Sequence, residues 1–156
     1  MIIWINLLRR GLMAINFITI KELISYLSDT IEDLEEFQVD EKLLQEDKKT
    51  AGATKYFLQT AVEACANIAE HIVFGLHLGN PETTNELFPI LAKEDIIPNA
   101  LAKKLSNAVG LRNILVHQYR KVNLAIVANS ATVGLNDLRE FAKAISDFIE
   151  SHQTNK

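Results

Sequence analysis

The chain has 156 residues, 48% of them hydrophobic and 23% charged, with a formal net charge of −4. That length forms one domain with a full core, and the negative balance excludes coating nucleic acid by bulk charge alone. The single cysteine, Cys65, excludes an internal disulfide, so nothing requires an oxidising compartment and a cytoplasmic location is expected.

The first residues, MIIWINLLRRGLMAINFITI, are apolar but interrupted by Arg9 and Arg10. A signal peptide carries its charges ahead of the apolar run, and a membrane span needs about 20 apolar residues without central charge. Neither pattern fits, so no membrane partner is expected. Residues 1–16 read as an N-terminal extension, with Met13 offering an alternative start, and 17–156 as the domain.

Thr19-Ile20-Lys21-Glu22 has the spacing of a capping box and predicts a helix start with Thr19 as N-cap. Ile20, Leu23, Ile24, Leu27, Ile31, Leu34 and Phe37 continue it at helical steps. Its other face is acidic and reads as solvated. A polar connector is expected over Val39–Thr50. A second long helix follows from about Thr54 to Leu76, with Leu58, Ala61, Val62, Cys65, Ile68, Ala69, Ile72 and Val73 as its stripe. Cys65 reads as a small buried hydrophobe rather than a nucleophile. Glu63, Asn67, Glu70 and His71 also fall near one another there. One histidine with scattered carboxylates is a weak metal signal, so a structural or supporting role is assigned and no metal is expected. His77 reads as a helix-end residue before Gly79.

Leu78-Gly79-Asn80-Pro81 is a turn. Thr83 to Glu86 repeats the capping-box spacing and opens a short helix to about Glu94. Pro98 suits the first turn of the next helix, which carries Leu101, Leu105, Ala108 and Val109. Gly110 there is expected to permit a close approach or a bend. Asn123 predicts the cap of a final helix to about Ser151. No β-period run, Gly-rich phosphate loop or internal repeat is present, and the expectation is an all-α bundle of about five helices.

The chemistry concentrates in Gly110–Arg120. Arg112, Asn113, His117 and Tyr119 interrupt an aliphatic segment. Arginine is a permanent cation whose planar fork suits phosphate, and histidine exchanges a proton near neutral pH. That pair is the minimum for cleaving a phosphodiester without metal. Ile96 to Asn136 contains no Asp or Glu but holds Lys103, Lys104, Arg112, Arg120 and Lys121, a local positive field for a phosphate chain. Geometry sets a constraint. Residues five apart on an α-helix point about 140° away from each other. Arg112 and His117 therefore converge only if the arginine curls round, the helix ends early, or a two-fold dimer supplies a second copy.

Arg112-Asn113-Ile114-Leu115-Val116-His117, followed by Gln118-Tyr119, resembles the R-x4-H-x-Y form of the HEPN signature found in HepT-like toxins. Thr60–Ile72, Leu78–Glu82 and Ile97-Pro98 are also similar to that family's second helix and connectors. The resemblance covers the chain from about residue 17. It implies a homodimeric HEPN bundle and a metal-independent endoribonuclease without cofactor, acting as the toxin of a type VII toxin–antitoxin pair. It further implies RNA as substrate and a minimal nucleotidyltransferase (MNT) as antitoxin. By the same resemblance Arg112 and His117 are the catalytic pair, Asn113 an adjunct and Tyr119 the AMP acceptor. Lys103, Lys104, Arg120 and Lys121 are then expected to hold RNA. Two other functions stay open: a non-catalytic helical adaptor that binds a nucleotidyltransferase, and a small-nucleotide or metal-dependent enzyme built on the second helix.

Overall fold

A computed structural model describes residues 15–117 and 121–153. Most of the expected extension, residues 1–14, thus lies outside the described residues, as do Tyr119 and Arg120. The described chain is all-helical: α1 (Phe17–Glu36), α2 (Glu41–Glu46), α3 (Lys48–Gly75), α4 (Leu87–Lys93), α5 (Asn99–Val116), α6 (Leu124–Ser130) and α7 (Leu135–Gln153). A single 3₁₀ turn, Thr84–Glu86, leads into α4. The long helix α3 packs against α1 and α5, α7 packs on α1, and α4 covers α5. Ile20, Leu27, Ile68, Ile72, Phe88 and Phe141 are sealed at its centre. Phe88 and Phe141 meet edge-on at 5.8 Å, joining α4 to α7. No described helix is long and apolar enough to cross a membrane.

Four local details differ from the sequence expectation, each for a hydrogen-bonding or steric reason. The cap of α1 is Asn16, whose side chain accepts from the Thr19 N–H at 3.1 Å, so the helix begins two residues before Thr19. The Val39–Thr50 connector holds α2, capped by Asp40, and the start of α3. There Asp47 accepts from the N–H groups of Lys49 and Thr50 and from the Thr50 hydroxyl. Aspartate caps were present in a stretch that polarity alone marked as loop. At Thr83 no side-chain cap forms; instead Glu86 reaches back to the Glu82 N–H at 2.7 Å and tightens a 3₁₀ turn. The last predicted helix is two, broken over 131–134. A Cβ on Gly134 would lie 2.6 Å from the Ser130 carbonyl oxygen, so only glycine lets the chain fold back that closely.

The end of α3 matches its expectation. His77 takes φ 55° just past the helix. The Leu78 N–H bonds back to Val73 O at 2.9 Å, and the His77 N–H to Phe74 O at 3.2 Å. This pair of bonds forms a Schellman cap with histidine in the place usually given to glycine.

Candidate active site

The motif is carried by the last turn of α5 and its cap. Leu101, Ala102, Leu105, Val109 and Leu115 bury one side of α5 against the bundle. The opposite side is left outward, with Asn113, Ile114, Val116 and His117 exposed. Gly110 lies inside the helix, and a Cβ there would meet nothing within 4 Å. The helix runs unbroken through it, and among the described residues no neighbour approaches it, contrary to its expected use.

The helix ends at Val116. His117 is its C-cap, at φ −85° and ψ 72°, with its N–H directed to Asn113 O at 3.4 Å. Of the three ways for Arg112 and His117 to escape the helical divergence, the early helix end is thus present. The His117 ring departs from a backbone that has already left the α conformation.

Arg112 is held from two sides. Its Nε lies 3.3 Å from Glu63 Oε1 on α3, and its Nη1 donates to Asn113 Oδ1 at 2.9 Å. Gln59, one turn earlier on α3, donates to the same Glu63 oxygen at 3.5 Å. Asn113, expected as an adjunct of the catalytic pair, therefore holds the arginine. Glu63 received little weight in the sequence, although one signal was available. It is the one charged residue between Leu58 and Ala69 on that helix.

Arg112 also separates two hollows of about 270 Å³ each. One is floored by Leu58, Val62, Leu105, Leu111 and Leu115. The other is polar, with Asn67, Glu70, Thr83 and Thr84 around it. The basic field is less clear in space than along the chain. Lys104 pairs with Asp137 on α7 at 2.9 Å, and this hydrogen bond raises its pKa above the ordinary lysine value. Lys103 and Lys121 are exposed. Lys104 stands about 12 Å from Arg112 along the helix axis at the standard rise. Segment 96–136 has no carboxylate of its own, but α3 and α7 each bring one to it.

Cys65 is fully buried, and burial pushes its thiol pKa up. It is a packing residue rather than a nucleophile. Among the described residues, no three His, Cys, Asp or Glu side chains gather closely enough to hold a metal ion.

An all-helical bundle that closes one helix on an arginine–asparagine pair with histidine in its cap has the build of a HEPN domain. The chain belongs to the HepT-like ribonucleases: the family profile described as "Ribonuclease HepT-like" matches residues 27–145. It is 40% identical over 88 residues to the mRNA nuclease HepT of Shewanella oneidensis, covering 56% of this chain and 66% of that one. It is 28% identical over 128 residues to the tRNA nuclease HepT of Aphanizomenon flos-aquae, covering 82% and 86%. In three dimensions it is similar to the tri-AMPylated HEPN toxin of Shewanella oneidensis solved in complex with its MNT antitoxin. That match has a TM-score of 0.77 and 31% identity, over 82% of this chain and 96% of that one.

Proposed function

We propose that this chain is the toxin of a type VII HepT/MNT pair. In this reading it is a metal-independent endoribonuclease that cuts mRNA or tRNA with Arg112 and His117 at a homodimer cleft. The observation that carries the proposal is the anchored Arg112 on the last turn of α5, with His117 released from the helix one turn further on. RNA brings its own nucleophile, the 2′-OH. His117 takes that proton as general base, or gives one to the departing 5′-oxygen as general acid. The 2′-oxygen bonds to phosphorus, the P–O5′ bond breaks, and the products are a 2′,3′-cyclic phosphate and a 5′-hydroxyl. Arg112 stabilises the charge that builds on the non-bridging oxygens. A two-fold partner supplies the second histidine, so that one acts as base and the other as acid.

Control is proposed at Tyr119, which lies outside the described residues. It stands two positions after His117 in the sequence. AMP carried there adds a negative phosphate and a bulky purine, and both oppose RNA. The AMPylation of the Shewanella oneidensis toxin and its complex with an MNT antitoxin support this assignment. A non-catalytic adaptor that only binds a nucleotidyltransferase is the second reading; the presence of both Arg112 and His117 favours the enzyme over it.

The deciding experiment is RNA cleavage in excess EDTA. Cleavage by wild type, lost in His117→Ala, supports the reading, and equal cleavage by both removes His117 from the mechanism. Mixing Arg112→Ala with His117→Ala chains tests sharing across the dimer, and a monomer by light scattering at micromolar concentration would count against it. Intact mass after co-expression with the cognate nucleotidyltransferase should rise in AMP steps, and the gain should vanish in Tyr119→Phe. An inhibited but unmodified toxin would refute the Tyr119 switch.

A further inference from the structure

We infer that Glu63 is a positioning residue for the reaction, the group that fixes the plane of the Arg112 guanidinium. The inference rests on the ribonuclease reading above. An arginine side chain is long and rotates about every bond of its stem, so an unanchored guanidinium sweeps a wide volume. Here Nε is tied to α3 through Glu63 Oε1 at 3.3 Å, and Nη1 is tied along α5 through Asn113 at 2.9 Å. Two contacts from two directions fix both the position and the tilt of a planar group. The Asn113 contact is a hydrogen bond and uses one of the five N–H donors an arginine carries, and the Glu63 contact is an ion pair. The remaining donors suffice for the paired hydrogen bonds that guanidinium makes to phosphate.

Glu63 is itself held. It projects from α3 between Val62 and Ala64, which anchor that part of the helix in the core. Gln59 donates to the same oxygen from one turn away. The tie thus runs from the best-packed helix of the bundle to the motif arginine. A role in stability is a poor explanation for it. The Arg112 and Glu63 side chains are 27% and 37% exposed, and ion pairs this wet add little to folding. The carboxylate also has a cost for ground-state binding, because it cancels part of the charge Arg112 offers to phosphate. Its retention beside the motif is explained by orientation, which acts on the transition state.

Reach and charge separate in a small series of variants. Glu63→Gln keeps the acceptor oxygen at the same distance and loses the charge. Glu63→Asp keeps the charge and is one methylene too short. Glu63→Ala loses both. With a mixed-sequence single-stranded RNA oligonucleotide, Ala and Asp are expected to lower kcat roughly 10- to 100-fold, the scale of a misplaced catalytic group. KM should hold or fall in both. Glu63→Gln should give a kcat between wild type and Ala, since it keeps a polar oxygen at the same reach but loses the charge of the ion pair. Melting temperatures should be unchanged across the series.

A second readout does not depend on cleavage. The Arg112 Nε–H proton should exchange more slowly with solvent by NMR in wild type than in Glu63→Ala and Glu63→Asp, with Glu63→Gln between. Loss of kcat in Gln equal to that in Ala, or faster cleavage in Ala, would overturn the inference. So would an Arg112 Nε–H that exchanges in wild type like that of a free side chain. If wild type cuts no RNA at all, the ribonuclease reading fails, while the exchange series still decides whether Glu63 fixes the arginine.

Discussion

Helices α3 and α5 lie side by side and are built for opposite purposes. Twelve of the 28 residues of α3 are buried, nine of them between Ala61 and Val73. Only five of the 18 residues of α5 are buried, and four of those lie before Gly110. Past that point α5 is fastened to the core by buried Leu115 and half-buried Leu111, while Ile114 and Val116 stay 39% and 43% exposed beside the polar motif. The lesson is a division of labour: α3 supplies rigidity, and the end of α5 supplies a surface left open to something outside the chain. Glu63–Arg112 is the ion pair that bridges the two.

That division can be broken from either side. The largest effect should come from His117→Ala, which removes the proposed proton shuttle at the open end. Cleavage is expected to fall by about 10²–10⁴-fold, while urea unfolding shifts by no more than about 0.5 kcal/mol, as for other exposed positions. Ile72→Ala is the converse. It leaves a void at a fully buried position of α3 and should cost about 2–5 kcal/mol in the same unfolding experiment. Below the new melting point, kcat should stay near wild type.

Smaller changes sharpen the contrast. Gly52 lies exposed near the start of α3, and a Cβ there would meet nothing within 4 Å. Gly52→Ala should therefore stabilise by about 0.5–1 kcal/mol, read as a rise in melting temperature with activity unchanged. The smallest effect belongs to Asp47, the cap of α3. Hydrogen bonds from Thr50, the side-chain one first, hold its carboxyl below the ordinary aspartate range. A lowered folded pKa means its stabilising contribution is fully present above the unfolded value of about 3.9. It is lost as pH falls through the lower folded value. The melting-temperature difference between wild type and Asp47→Ala should be constant above pH 5 and shrink in acid.

Much of this was legible in the chain itself. The stripes that define α1 and α3 are long and regular, and most of their core residues, from Ile20 to Val73, are the ones the sequence marks. The motif was legible because four polar groups stand where packing asks for none. What escaped has a common cause, that short-range signals compete. Asn16 outcompeted Thr19 as a cap. Asp40 and Asp47 made helix starts out of a polar connector. Gly134 broke a helix whose apolar period runs on through it. The tie from Glu63 to Arg112 joins residues 49 positions apart in sequence. No local pattern carries that information, because only the packing of α3 on α5 brings the two together.

Cys65 gives the buried helix a built-in clock. It is the one thiol in the chain, it has no solvent exposure, and its raised pKa suppresses the reactive thiolate. An alkylating reagent therefore finds its target only when α3 parts from its neighbours. If reclosing is fast compared with alkylation, the observed labelling rate is the rate for an open thiol multiplied by the fraction of molecules open at any instant. One mass-resolved time course on unmodified protein thus reads how often the interior of the bundle opens, without denaturant, probe or mutation.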